Sequence, residues 1–177
     1  MNPSRRKLLA MGGGGLATLA LPVRLAAQTV SLIEMKGTAR GEHVWFSPMG
    51  IAVAVGTTLR FVNRDPANSH TTTCYHPSLL DRALRIPAAA TPWDSDFLLP
   101  EESFEVTLDV PGVYDFYCQP HEHAGMVGRI VVGRPEVDAG WQGAAAMSDD
   151  VPEAARSAFP DVQMIIDLGQ VMPEGGL

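Results

Sequence analysis

The sequence predicts an all-β fold, an antiparallel β-sandwich, on three observations. Short apolar or alternating runs recur between Gly, Pro and Asn punctuation. The run Phe104-Glu105-Val106-Thr107-Leu108-Asp109 alternates strictly and so lays Phe104, Val106 and Leu108 on one face of a strand. Pro111-Gly112 then turns the chain into Val113-Tyr114-Asp115-Phe116-Tyr117-Cys118, a core strand that ends on a cysteine.

Strands are predicted at residues 29–36, 43–47, 50–55, 58–63, 69–75, 103–109, 112–118 and 126–132. Gly37 and Gly41 separate the first two, Pro48 the next pair, and Gly56 the third from the fourth. Residues 76–100 form a long insertion with Pro77, Pro87, Pro92 and Pro100 and little periodicity. Loops of that length are commonly functional or self-packed. The reading adopted is a surface excursion packed by Leu79, Leu84, Ile86 and Trp93. Beyond Gly133, residues 152–159 suit a short helix, and Val162, Ile165 and Ile166 follow at helical spacing. Such a stripe is expected to dock on its own domain, because exposed apolar patches are liabilities.

A chain of 177 residues, 46% hydrophobic, has room for one domain plus extras. Arg5-Arg6-Lys7 leads into a weakly apolar, glycine-rich segment that ends near Val23, the grammar of a twin-arginine export signal cut near Ala27. A membrane anchor needs about 20 apolar residues, and glycines 12–15 interrupt this shorter stretch. Export predicts a periplasmic protein. Removing Arg5, Arg6, Lys7 and Arg24 leaves nine basic against 20 acidic residues, a net charge of −11. That charge argues against nucleic acid and anionic membrane; it suits solubility and attraction to a basic partner surface. No nucleophile elbow, phosphate-binding glycine loop or paired-carboxylate cleft is present in the mature chain, so no enzyme chemistry is expected.

The chemistry concentrates in Cys118-Gln119-Pro120-His121-Glu122-His123-Ala124-Gly125-Met126. A thiolate, an imidazole and a thioether share one short loop. His70, in Asn68-Ser69-His70-Thr71, adds a second imidazole from a different strand. Soft sulfur suits copper(I), imidazole suits either copper oxidation state, and two His with one Cys and a distant Met form the ligand set of a type 1 site.

Tyr114-Asp115-Phe116-Tyr117-Cys118-Gln119-Pro120-His121, followed by Ala124-Gly125-Met126, resembles the cupredoxins, especially plastocyanin-like and halocyanin-like blue-copper proteins. The resemblance covers roughly residues 29–133. It implies a Greek-key sandwich and one type 1 copper per chain, with His70, Cys118 and His121 as equatorial ligands and Met126 as the weak axial one. It also implies a monomeric carrier of single electrons that meets redox protein partners through weak, transient contacts near His121. Tyr117 would offer a second electron route, and Pro120, Ala124 and Met126 a water-excluding docking patch. On this reading residues 1–27 are the export signal, 28–133 the cupredoxin domain and 134–177 a docked, partly helical extension. One departure stands out: Thr71 follows His70 where many such proteins have Asn, so the contacts that tune the Cys118 sulfur do not carry over.

Other readings of the same residues stay open. An exported chain with two cysteines, Cys74 and Cys118, invites a disulfide in a copper-free sandwich. A copper-delivery protein would use the same ligands with Cys74 and His123 added. Cys74-Tyr75-His76 and His121-Glu122-His123 each place donors at alternate positions, but a second site needs three or four converging ligands, so no second metal is expected. His43, beside Val44-Trp45-Phe46, reads as a core or edge histidine. A red-copper enzyme with an open position would require a stronger donor than Met126.

Overall fold

Strands with one apolar face must bury it against a second layer, and here two sheets close on each other. The computed structural model describes residues 30–173; the export signal predicted at residues 1–27 lies outside them. The strands are β1 (Val30–Gly37), β2 (Val44–Ser47), β3 (Gly50–Val53), β4 (Thr57–Asn63), β5 (Thr73–Cys74), β6 (Ser103–Leu108), β7 (Gly112–Tyr117), β8 (Val127–Val132) and β9 (Gln170–Val171). One sheet runs β2-β1-β4-β6 and the other β5-β7-β8-β3-β9. A 3₁₀ turn, Gln119–Ala124, separates β7 from β8, and helices α1 (Glu153–Ala158) and α2 (Val162–Leu168) precede β9.

The expected β-sandwich is present, but its two sheets are mixed rather than antiparallel throughout. β1 lies parallel to β4, from Val30 opposite Thr58 to Met35 opposite Asn63, and β3 lies parallel to β8. Parallel neighbours require a long crossover connection. The chain provides one by switching sheets between β2 and β3 and again between β3 and β4. Alternation along a strand reports which face is buried and carries no information about the neighbour's direction.

Aromatic rings fill the space between the layers. Phe46 and Phe61 from one sheet meet Phe116 from the other, with ring centroids 4.7 and 5.3 Å from Phe116 in edge-on arrangements. Gly128, opposite Phe116 in the β7–β8 ladder, makes room for that ring: a Cβ there would lie 2.3 Å from Phe116 Cζ. On β6, Leu108 is buried while Phe104 and Val106 pack partly exposed against the core, as an edge strand allows.

The predicted strand at 69–75 shrinks to Thr73 and Cys74. Its neighbour on that side is the insertion, which pairs only through isolated bridges, His70 with Leu98 and Thr73 with Asp94. Within the insertion Ile86 and Trp93 are buried and Leu79 packs partly on the core, but Leu84 is exposed. The interior position beside Leu84 goes to Arg85, whose guanidinium is paired with buried Asp115.

Every residue of β7 and β8 is buried, because the tail covers the outer face of their sheet. Ala155 of α1 and Val151 pack against Tyr75, Tyr117 and Val127; Ile165 of α2 packs against Val113 and Val131. Asp161 caps α2 by accepting a 3.0 Å hydrogen bond from the Met164 N–H. Arg129 reaches Asp115 at 2.7 Å and donates to the Pro160 carbonyl, while Arg85 donates to the Ala146 carbonyl. Two buried guanidinium groups thus hold the tail to the sheet by its backbone.

Ile165 is fully buried between the tail and the sheet. Ile165→Ala is expected to cost about 2–5 kcal/mol, read as a lower denaturant midpoint; an unchanged midpoint would contradict integration of the tail into the cooperative unit.

Candidate metal centre

Two segments far apart in sequence converge at the end of β7, one carrying His70 and the other Cys118, His121 and Met126. Cys118 emerges from a fully buried strand, and the 3₁₀ turn after it carries His121 back over the sulfur. Pro120 suits the first turn, where its missing N–H is not needed, and Gly125 closes it with a left-handed φ of 83°. The Cys118 N–H donates to the Met126 carbonyl at 3.0 Å, and the Met126 N–H to the His121 carbonyl at 3.1 Å, so the loop is cinched at its neck.

The Cys118 Sγ lies 3.5 Å from His70 Nδ1 and 3.4 Å from His121 Nδ1. His70, Cys118 and His121 form the one cluster of potential metal-binding His, Cys, Asp and Glu residues among the described residues. Met126 is fully buried in the same core cluster as Cys118. His70 and Cys118 are likewise closed to solvent, and His121 alone of the four is half-buried.

Burial pushes the Cys118 thiol up to about 11, with hydrogen bonds from the Thr71 and His121 backbone pulling the other way. Burial holds His70 below its ordinary value against the opposing pull of Asp65; burial, then the His70 charge, lowers His121. Two neutral imidazoles beside a thiol whose proton a metal can displace suit a soft, divalent or monovalent ion.

Thr71 takes up the place left by the expected Asn. Its N–H donates to the Cys118 Sγ at 3.3 Å, and its hydroxyl accepts the Gln119 N–H at 2.8 Å, tying the His70 segment to the start of the loop. Sequence reasoning missed three supporting residues. Asp65 is fully buried and lies 2.9 Å from His70 Nε2. Asn63 holds the loop between them, and Asp94 accepts from Gln119 at 2.8 Å. The run Asp65-Pro66-Ala67-Asn68 signals only a turn, and nothing in it reports what the carboxylate faces.

The other candidate donors stand apart. Cys74 is a free thiol whose sulfur accepts the Trp93 N–H, so the disulfide reading fails for this structure. His76 interacts with Ser78, and His123 and His43 are exposed. Tyr117 is buried beneath the tail, its ring tilted 38° against Tyr75 at 4.5 Å, so it does not itself reach the surface. Pro120 and Ala124 are exposed beside His121, whereas Met126 is interior and cannot belong to a docking patch.

A two-sheet sandwich with a buried thiol between two imidazoles and a buried Met at the loop's end defines a cupredoxin. The family model for copper binding proteins of the plastocyanin/azurin family matches residues 33–133. Chloroplastic plastocyanin of Physcomitrium patens is 32% identical over 129 residues, covering 71% of each chain. That of Chlamydomonas reinhardtii is 31% identical over 133 residues, covering 75% of this chain and 86% of its own. A Sinorhizobium pseudoazurin has a similar structure, with a TM-score of 0.54 and 28% identity over 74% of this chain and 91% of its own. The chain therefore belongs to the plastocyanin/azurin family of copper-binding proteins, and its cofactor is copper.

Burial raises Cys74 from its ordinary 9.0 to about 11. Alkylation of the folded, copper-loaded protein near pH 8 is expected to leave Cys74 unmodified, and unfolding to expose it; mass spectrometry showing rapid labelling or a Cys74–Cys118 bond would contradict the assignment.

Proposed function

We propose that the protein carries single electrons between redox partners, and that His70, Cys118, His121 and Met126 would hold the copper. Bound copper supplies the one-electron couple between its two oxidation states. The observation that carries the reading is the Cys118 sulfur held 3.5 and 3.4 Å from two imidazole nitrogens in a closed, hydrogen-bonded pocket. A preset cage limits rearrangement between oxidation states. The chain's own part is to exclude water with the Phe116 core and to orient both rings.

His121 is the half-buried member of the set, so its ring edge serves as the electron's exit. Exposed Pro120 and Ala124 beside it suit a small apolar contact. A partner must leave quickly after transfer, which favours a weak interface at the low end of the size range. The Arg5-Arg6 segment supports export to the periplasm by the twin-arginine route, and residues 28–133 are proposed as the copper domain, with 134–177 as its extension. Among the described residues no helix is long and apolar enough to cross a membrane.

Copper delivery is the second reading for the same ligands. It would draw on Cys74 and His123 as additional donors, but the Cys74 sulfur faces the Trp93 N–H and His123 faces solvent. Carriage is therefore the better-supported function.

The copper-loaded protein is expected to show an intense visible thiolate-to-copper band that ascorbate bleaches reversibly; loss of that band to a bathocuproine-type chelator within minutes would favour delivery. Cys118→Ser should abolish the band with the far-ultraviolet dichroism unchanged. Met126→Leu should retain copper and shift the midpoint potential.

A further inference from the structure

Asp65 is a fully buried carboxylate two residues beyond the end of β4, and the carrier mechanism above makes no use of it. Its Oδ1 accepts the Ala67 N–H at 2.8 Å and the Asn68 N–H at 3.3 Å; its Oδ2 accepts the Asn68 side-chain amide at 2.9 Å and lies 2.9 Å from His70 Nε2. Every neighbour within hydrogen-bond reach can donate, which is the surrounding of an ionised, acceptor-only carboxylate. Asn63 accepts the Asp65 N–H at 2.9 Å and donates to the Asn68 and Leu98 carbonyls, so the loop that carries Asp65 is itself fastened. Gly37 admits the carboxylate: a Cβ there would lie 2.0 Å from Asp65 Oδ2.

Resting on the carrier reading, we infer that Asp65 is a positioning residue that holds His70 with its Nε2 protonated and its Nδ1 turned to the metal, and that its charge lowers the copper potential. An imidazole that donates its second N–H to a carboxylate has a fixed tautomer and ring plane and is a stronger ligand. The charge acts on the metal as well. The Cys118 thiolate and the Asp65 carboxylate together balance a divalent ion, but leave an excess negative charge around a monovalent one. In a buried site that difference favours the oxidised state.

Asp65→Asn tests this on the full copper-loaded chain, because it keeps the size and removes the charge, its single oxygen serving either His70 or the Ala67 and Asn68 N–H groups. The visible band is expected to persist, with copper(II) affinity falling about tenfold or more relative to copper(I). A tenfold preferential loss reads as a rise of about 59 mV in midpoint potential. An unchanged or lower potential in the folded variant overturns the inference, whereas a purely structural Asp65 would lower the melting temperature alone.

A second measurement needs no variant. Nitrogen-15 NMR of the metal-free wild type at neutral pH should find His70 protonated at Nε2, and protonation at Nδ1 overturns the positioning role. A wild type with no visible band and no reversible couple would instead sink the carrier reading, and the ring-nitrogen result would still report on Asp65.

Discussion

The contact on which the structure turns is the Thr71 N–H directed at the buried Cys118 sulfur, at 3.3 Å. It joins the segment before β5 to the end of β7, and the Thr71 hydroxyl repeats the join one residue further on by accepting the Gln119 N–H. With those two bonds made, His70 and His121 face the same sulfur. Burial then raises the cost of ionising the thiol, so the site favours either a neutral thiol or a thiolate bound to metal. The surrounding sandwich keeps that choice dry.

Two fully buried carboxylates flank this arrangement and do different work. Asp115 lies between Arg85 and Arg129, and the same two arginines hold backbone carbonyls of the tail. A buried ion pair contributes little net stability once desolvation is counted, but it penalises any arrangement that leaves one partner alone. Its effect here is to define where residues 146 and 160 must sit. Asp65 has no arginine or lysine partner. Its neighbours are backbone and amide N–H groups and a ring nitrogen of His70, so its charge is directed at the metal centre rather than neutralised beside it.

The tail changes what the sandwich presents to solvent. Val151 and Ala155 lie over Tyr75 and Tyr117, and Gly125 of the ligand loop abuts α1, where a Cβ would come 3.2 Å from the Ala154 carbonyl. The face behind Cys118 is therefore closed, and the half-buried His121 is left as the residue of the site nearest the surface. An extension outside the family-matched residues 33–133 thereby narrows the paths along which the site can be reached.

What is local can be read from the chain alone. The spacing of Cys118, His121 and Met126 is covalent, and it can be read directly as a loop of mixed soft donors. The alternation in residues 104–109 and the helical spacing of Val162, Ile165 and Ile166 likewise reflect which face each element buries. The burial of Ile86 and Trp93 was also legible from their apolar character, whereas Leu84 was misplaced because its neighbour Arg85 found an ion pair inside. Tertiary structure alone decided the parallel pairing of β1 with β4 and β3 with β8, the closure of Tyr117 and the approach of Asp65 to His70. Each of these depends on segments distant along the chain meeting in space, and a side chain's partner there is set by the packing of the sheets, not by its sequence neighbours. Asp65 is the clearest case: in sequence it is a turn residue before a proline, and only the folded chain puts its charge beside the metal centre.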